Sequence, residues 1–245
     1  EKALFLGAIP GIQHVAIVPS RQNAATAEGN TIIYEVRSPL VPCSKSYRAL
    51  FSQRKIHGII SHEKPDLIEV GDPYRAAWIG LREARRLGIP IVAYYHSDYP
   101  RMLGRTLRKY LGQPGETAVT PRINAYLAHL YNQMDATLVA TTRIYNLLSN
   151  MGIGNLKIVP PGIDTQIFAP VDSRASVRQA LGLGSGEHLL LYVGRLAREK
   201  NISSLLRMHE MLLDEMKVHL LVIGDGEQRL RVKRHIRRCE DATWL

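Results

Sequence analysis

The chain has 245 residues, of which 45% are hydrophobic and 22% are charged, and its formal net charge is +10. This apolar fraction is enough for the cores of one large or two modest domains, and it excludes an intrinsically disordered chain. Cys43 and Cys239 are the only cysteines, which excludes a disulfide scaffold and a zinc site built on several cysteines.

Short β-branched runs alternate with helical patterns along the chain. Clear helices are predicted over 74–87, with Gly88 as the C-cap, and over 142–150, with Thr142 as the N-cap. Several predicted strands are continuous apolar runs, typical of a parallel sheet covered on both faces. This alternation predicts an α/β fold with parallel strands and right-handed crossovers. The predicted strands are 14–18, 31–36, 67–70, 89–95, 136–140, 157–159, 189–193 and 219–223.

Prolines and glycines between residues 160 and 186 interrupt this pattern, which then starts again. The glycines of 182–186 precede a strand, whereas a dinucleotide-binding fingerprint must follow one, so we interpret them as a loop. Two α/β domains are therefore predicted, 1–168 and 169–245. The second has only two clear strands, too few for an independent sheet, so we expect it to be incomplete.

Polar residues and glycines collect directly after the predicted strands. Asp72, His96 and Asp98 follow strands of the first domain, while Gly194-Arg195 and Gly224-Asp225-Gly226 follow those of the second. Ligands of open parallel sheets bind outside the carboxyl ends of the strands, so these segments predict one ligand-binding cleft. A lone histidine such as His96 is about as often structural as catalytic at such a position.

Arg195 and Lys200 lie between a predicted strand and a predicted helix. Two cations beside a helix N-terminus suit a diphosphate that gains charge as it leaves. The spacing also fits surface side chains that pair with Glu199. Gly224 and Gly226 allow a ligand to approach the backbone closely, although a plain turn has the same composition.

Two basic clusters carry much of the net charge, one between Arg75 and Lys109 and one over 229–238. Such surfaces attract nucleic acid, anionic lipid or a phosphorylated small molecule. The second cluster also fits the solvated face of a helix whose other side packs through Val232, Ile236 and Cys239. Charge alone does not distinguish these partners.

Several of these segments occur together in the order and spacing of a known family. They resemble the retaining glycosyltransferases of family 4, which have the two-domain GT-B fold. The resemblance extends from Pro65 onward, while residues 1–64 resemble the family only loosely. The matching segments are Pro65-Asp66-Leu67-Ile68-Glu69, Ile89-Pro90-Ile91-Val92 with His96-Ser97-Asp98-Tyr99-Pro100, Val159-Pro160-Pro161-Gly162-Ile163-Asp164-Thr165 with Phe168 and Pro170, Tyr192-Val193-Gly194-Arg195-Leu196 with Glu199-Lys200-Asn201, and Val222-Ile223-Gly224-Asp225-Gly226.

The resemblance implies transfer of a hexose of the mannose or glucose class from a nucleotide sugar to an acceptor hydroxyl, with retention of configuration. Arg195 and Lys200 would stabilise the departing diphosphate, and His96 would lie beside the donor sugar and the acceptor. No metal and no cofactor other than the donor are expected, because the two cations take the place of a metal. The remaining implied binding residues are Asp72 and Asp98 for substrate, and Gly194, Gly224 and Gly226 for the donor.

Two parts of the family pattern are missing from the sequence. The family's glycine-rich loop would precede Glu1 and its Glu-x7-Glu motif would follow Leu245, so we expect a fragment with little activity alone. The acceptor is not identified, and a lipid and a polysaccharide are both open. A lipid-linked acceptor would suit a cytoplasmic protein that touches the inner face of the membrane through Arg101–Lys109.

Two other functions remain open. One is a nucleotide-sugar 2-epimerase of the same fold, which would require additional acid/base carboxylates and no acceptor. The other is a non-enzymatic basic module that binds nucleic acid or anionic membrane; of these two partners, nucleic acid is the less expected.

Overall fold

A computed structural model of the protein describes residues 2–41, 47–170, 174–184 and 186–245, with the backbone alone for 2–4, 105–107, 109–111 and 174. Cys43 lies outside the described residues. The chain divides into two compact units, 1–162 and 163–245. The predicted boundary after residue 168 lies six residues beyond this division, and each unit is described by itself.

The first unit alternates helices and strands and contains two sheets. The elements are α1 (Lys2–Gly7), β1 (His14–Ser20), β2 (Ala24–Glu28), β3 (Thr31–Arg37), α2 (Gln53–Glu63), β4 (Ile68–Val70), α3 (Arg75–Leu87), β5 (Ile91–Tyr95), α4 (Tyr99–Tyr131), β6 (Ala136–Val139), α5 (Thr142–Asn150) and β7 (Leu156–Ile158). One sheet has the strand order β1-β3-β2, and the other, β4-β5-β6-β7, is parallel throughout.

Strand β2 is absent from the predicted set and pairs antiparallel with β3. Its sequence, Ala-Ala-Thr-Ala-Glu, is poor in the β-branched and aromatic residues that favour strands. The two-residue turn at Gly29-Asn30, where Gly29 has a φ of 56°, returns the chain onto β3. Tertiary pairing therefore forms this strand where the composition does not indicate one.

Helix α3 confirms the predicted apolar stripe and its C-terminus. Ala77, Leu81 and Ala84 are buried and belong to a core that also includes Leu148, and Gly88 ends the helix with a φ of 68°. Helix α5 also has the predicted bounds, but its N-cap is Thr141, whose hydroxyl accepts a hydrogen bond from the Ile144 amide at 3.3 Å. The prediction of Thr142 as the cap is thus wrong by one residue.

Helix α4 consists of two helical segments joined at Gly112, which has a φ of 69° and a ψ of −175°. Pro114 follows this kink and cannot donate the hydrogen bond that would continue the first segment. Among the described residues, no helix has both the length and the apolar composition needed to cross a bilayer.

Glu83 is a charged side chain buried on α3, with 2% of its surface exposed. Arg86 Nε donates a hydrogen bond to its Oε2 at 2.8 Å, and His57 Nδ1 lies 3.0 Å from Oε1. Burial alone would raise the pKa of Glu83, but the hydrogen bonds from Arg86 and His57 outweigh burial and hold that pKa below its usual range.

Replacing Glu83 with glutamine is expected to lower the free energy of unfolding of the first unit by about 1–3 kcal/mol at neutral pH. Because the pKa of Glu83 is lower in the folded state than in the unfolded chain, the ionised side chain stabilises the fold fully at pH values above the unfolded-state pKa of about 4.3. That stabilisation disappears as the pH falls through the folded-state pKa. Urea unfolding from neutral to acid pH measures this loss, with the exposed Glu28→Gln as control. An equal loss at every pH would contradict the assigned role.

The second unit contains one three-stranded parallel sheet among its described residues. Its elements are α6 (Arg174–Ala180), β8 (His188–Val193), a 3₁₀ turn (Arg198–Lys200), α7 (Ile202–Leu213), β9 (Val218–Ile223), α8 (Arg229–Ile236) and β10 (Ala242–Trp244). The strand order is β10-β9-β8, and β10 is too short for an alternating pattern to be recognised in the sequence. Val232 is buried and Ile236 packs against the core, which confirms the predicted inner side of α8.

Candidate functional site

The carboxyl ends of β4, β5 and β6 meet at one edge of the four-stranded sheet, because Val70 pairs with Ala93 and Tyr95 pairs with Val139. His96 follows β5 at this edge and is exposed to solvent. Its Nδ1 lies 3.3 Å from the Tyr94 carbonyl oxygen. The imidazole is thus available to a ligand of the first unit, as a residue beside a substrate must be.

Asp72 and Asp98 each have a local structural contact. Asp72 Oδ1 accepts a hydrogen bond from the Tyr74 amide at 2.9 Å, in the turn before α3. Asp98 is the N-cap of α4, and its Oδ1 accepts from the Arg101 amide at 3.1 Å. These contacts explain why aspartate suits both positions, and their role in substrate binding stays a prediction.

A cluster of tyrosine rings adjoins His96, and no local pattern in the sequence indicates it. The ring centroids of Tyr95 and Tyr99 are 5.5 Å apart, and those of Tyr74 and Tyr99 are 6.0 Å apart, in both cases edge to face. Burial raises the pKa of Tyr95 to about 12, so its hydroxyl stays neutral at physiological pH. Tyr74 packs against Tyr99, and Tyr131 packs against Tyr95. Both are distant along the chain from their partners, so only the fold reveals the cluster.

In the second unit, the loops that follow β8 and β9 lie side by side. The Gly194 amide donates to the Ile223 carbonyl at 3.0 Å, and the Leu196 amide donates to the Asp225 carbonyl at 2.9 Å. The Gln228 amide closes the arrangement by donating to the Leu196 carbonyl at 2.8 Å. The Gly194-Arg195 and Gly224-Asp225-Gly226 motifs are therefore parts of one structural feature.

Gly224 and Gly226 are required by this loop contact. A Cβ atom on Gly224 would lie 2.1 Å from the Gly194 carbonyl oxygen, and one on Gly226 would lie 2.6 Å from the Leu196 carbonyl oxygen. The protein's own backbone thus accounts for both glycines without a ligand. Their predicted contact with the donor remains a prediction.

Arg195 and Lys200 are exposed residues on the β8 side of this contact. Arg195 Nη2 lies 2.5 Å from Glu199 Oε1, which is the pairing that the spacing left open. A pair this exposed contributes little to stability, so a ligand phosphate can replace the carboxylate at small cost. Lys200 ends the 3₁₀ turn that leads into α7.

Two further residues hold the loops in place and are missing from the predicted site. Glu227 Oε1 accepts a hydrogen bond from the Arg198 amide at 3.1 Å, which ties the 3₁₀ turn to the glycine motif. Trp244 Nε1 donates to the Gly224 carbonyl at 2.7 Å. Glu227 could have been found from the sequence because it directly follows Gly226. Trp244 reaches the Gly224 motif only through the β9–β10 pairing.

A family model described as Glycosyltransferase Family 4 matches residues 9–167, more than half of the chain. The chain belongs to glycosyltransferase family 4. A second model, Glycosyl transferases group 1, matches residues 173–241 of this family 4 chain. Both matches confirm the resemblance stated from the motifs, and the first also includes residues 9–64, where the motifs alone show little.

Curated relatives of this family 4 chain include two bacterial enzymes. A GDP-mannose-dependent alpha-mannosyltransferase of Mycobacterium tuberculosis is 31% identical over 169 residues, which are 69% of this chain and 41% of the relative. An alpha-monoglucosyldiacylglycerol synthase of Streptococcus pneumoniae is 26% identical over 201 residues, 78% of this chain and 44% of that enzyme. The family 4 chain thus spans less than half the length of these relatives.

Solved structures support the same fold for the family 4 chain. Sucrose-phosphate synthase from Thermosynechococcus elongatus matches with a TM-score of 0.69 and 18% identity, covering 96% of this chain and 60% of that one. Anabaena Alr3699/HepE in complex with UDP-glucose matches with a TM-score of 0.57 and 18% identity, covering 79% of this chain and 50% of that one. These matches confirm the predicted α/β fold class of the GT-B type.

Proposed function

We propose that the whole protein is a retaining glycosyltransferase that moves a mannose or glucose residue from a nucleoside-diphosphate sugar to an acceptor hydroxyl. The observation that carries this proposal is the pairing of the loops after β8 and β9, with Arg195 and Lys200 on the first loop. The names of the two curated relatives, one for GDP-mannose and one for a glucosyl lipid, support the choice of hexose.

The chemistry expected of this loop pair is stabilisation of a leaving group. As the bond between the anomeric carbon and the diphosphate oxygen breaks, negative charge grows on the diphosphate, and Arg195 and Lys200 would neutralise it. The acceptor oxygen forms its bond to the anomeric carbon on the same face. The acceptor proton passes to the departing phosphate oxygen, so no protein base is needed.

The edge of the four-stranded sheet where β4, β5 and β6 end would bind the donor sugar and the acceptor. His96 is exposed there, and because its Nδ1 faces the Tyr94 carbonyl oxygen, its Nε2 is the nitrogen that would bind a sugar hydroxyl. The neighbouring edge-to-face tyrosines restrict where its ring can move, since the centroids of His96 and Tyr99 are 6.3 Å apart. A positioned but solvent-accessible imidazole suits a residue that orients substrate.

A lipid acceptor is supported by the relative named as a diacylglycerol synthase. Contact with the membrane through Arg101–Lys109 stays a prediction. Arg101 and Arg108 are exposed on α4, while the side chains of Arg105 and Lys109 lie outside the described part of the chain.

Assays of the whole protein with GDP-mannose and with UDP-glucose test the proposal. Transfer to a lipid or sugar acceptor is expected from one donor, and NMR of the product should show the anomeric configuration of the donor. A product of inverted configuration would contradict retention. Epimerised sugar nucleotide formed without an acceptor would instead indicate a 2-epimerase.

Binding measurements separate the enzyme from a basic binding module. Titration with GDP, UDP and single-stranded DNA at two salt concentrations should show a preference for one nucleoside diphosphate. Steep salt dependence with no nucleotide preference would contradict the enzymatic proposal, because phosphate contacts alone give that behaviour.

A further inference from the structure

Two histidines and a cysteine come together within the second unit, apart from the loops after β8 and β9. His209 on α7 and His235 on α8 are buried, with 0% and 8% of their surfaces exposed. Cys239 follows α8 as a half-buried free thiol. One nitrogen from each histidine and the sulfur of Cys239 all lie within 4.8 Å of one another. This is a set of metal-binding side chains to which the proposed reaction assigns no role.

The two histidine rings face each other through one nitrogen each. His209 Nδ1 lies 2.9 Å from His235 Nε2, a hydrogen-bonding distance at which one nitrogen donates and the other offers its lone pair. On the other side of its ring, His235 Nδ1 lies 3.3 Å from Glu210 Oε1. The opposite nitrogen of His209, Nε2, is buried and has no hydrogen-bond partner among the described residues. A buried pair with one nitrogen unsatisfied is costly as a purely structural element.

We propose that His209, His235 and Cys239 bind one divalent transition-metal ion of the zinc class. Zn²⁺ takes imidazole nitrogen at about 2.0–2.1 Å and thiolate sulfur at about 2.3 Å, so ligand atoms this close need only small movements. The Cys239 thiol gives up its proton to solvent when the metal binds. Glu210 orients His235, as carboxylates do for zinc-bound histidines. The ion joins α7 to the end of α8 and so stabilises the second unit.

The surroundings of the cluster allow access but oppose a cation at long range. His235 and Glu210 line a cavity of about 410 Å³, which gives a path from solvent. Arginines line the same cavity and repel a cation, whereas the thiolate and Glu210 supply negative charge at or beside the ligands. Because the ligands touch the ion and the arginines act over longer distances, salt should screen the repulsion more than the attraction. The arginines are Arg207, Arg231, Arg234 and Arg238.

A second group, Glu187, His219 and Asp241, also has its ligand-type atoms within 4.8 Å of one another. His219 Nε2 lies 2.9 Å from Thr243 Oγ1, which leaves one ring nitrogen for a metal. Asp241 is exposed, and exposed carboxylates commonly stand near one another without an ion. This group therefore serves as a control.

Titration of the chelator-treated whole protein with Co²⁺, a spectroscopic substitute for Zn²⁺, tests the site. One equivalent is expected to give the visible absorption of tetrahedral Co²⁺ and a thiolate-to-cobalt charge-transfer band. Cys239→Ser should abolish that band, and Glu210→Gln should weaken binding by about 10–100-fold. Zn²⁺ should displace the cobalt and raise the melting temperature.

Matched variants make the result decisive. His188→Asn, at an exposed histidine of β8, and Glu187→Gln, in the control group, should leave the cobalt spectrum unchanged. If His235→Gln does not fold, Cys239→Ser still decides, because Cys239 lies outside the helix and is only half-buried. A charge-transfer band that persists in Cys239→Ser, or the absence of saturable binding, would show an ordinary hydrogen-bonded histidine pair and overturn the proposal. Binding that weakens as salt is added would also count against it.

Discussion

Alanine at Arg195 or at Lys200 is expected to lower the turnover number of the whole protein by about 100-fold or more. Each substitution removes one of the two cations that would neutralise the leaving diphosphate, and that charge develops only in the transition state. The loss should therefore fall mainly on kcat rather than on KM. Steady-state kinetics with the preferred nucleotide sugar measures both constants.

Arg198→Ala is the matched control for this prediction. Arg198 lies in the same loop, is 79% exposed and is 3.7 Å from Glu227 Oε1, so its removal takes away a comparable charge from the same surface. Turnover of this variant should stay close to that of the unmodified protein. Near-normal turnover in both Arg195→Ala and Lys200→Ala would remove the diphosphate clamp from the proposed function, whereas equal losses in all three variants would indicate a general effect of surface charge.

Alanine at Gly224 is expected to destabilise the second unit by about 3–5 kcal/mol. The new methyl group would overlap the Gly194 carbonyl oxygen, and the residue has a φ of 140°, which side chains rarely adopt. The obstructing atom is backbone and cannot turn aside as a flexible side chain can. Circular dichroism during thermal unfolding should show a lower melting temperature or loss of the folded unit.

Gly186→Ala provides the comparison for Gly224→Ala. A Cβ atom at Gly186 meets nothing within 4 Å, so this variant should unfold close to the unmodified protein. If Gly224→Ala retained full stability but lost nucleotide binding, the close contact between the β8 and β9 loops would not be the reason for glycine there. The close approach of a ligand to the Gly224 backbone, which the glycine motif also allows, would then explain why glycine occupies this position.

The strands and helices with strong periodicity could be predicted from sequence, because burial on a sheet or beneath a helix leaves a local pattern. The run at 219–223 and the stripe on α3 are examples, and their bounds shift by one residue in the structure. The Ala-rich strand β2 and the short strand β10 leave no such pattern. Their partners lie elsewhere along the chain, and pairing creates them.

The candidate site divides in the same way. The positions of His96, Arg195 and Gly224 after strands are local features, and parallel strands bring such positions to one edge of a sheet. Which atoms then come into contact depends on residues that are far apart in the sequence and close together in the folded chain. The contact of Gly224 with Gly194, the tyrosine rings beside His96 and the meeting of His209 with His235 all join residues that no local pattern connects.

By itself the sequence determined an α/β chain with polar residues, charged residues and glycines directly after its strands. It could do so because hydrophobic periodicity and turn residues are properties of neighbouring positions. Only the tertiary structure decided why two glycines are obligatory, which carboxylate Arg195 pairs with, and that two histidines face each other in the second unit. The physical reason is that steric overlap, ion pairing and desolvation act over a few ångströms in space. Such distances exist only once the helices and strands have packed.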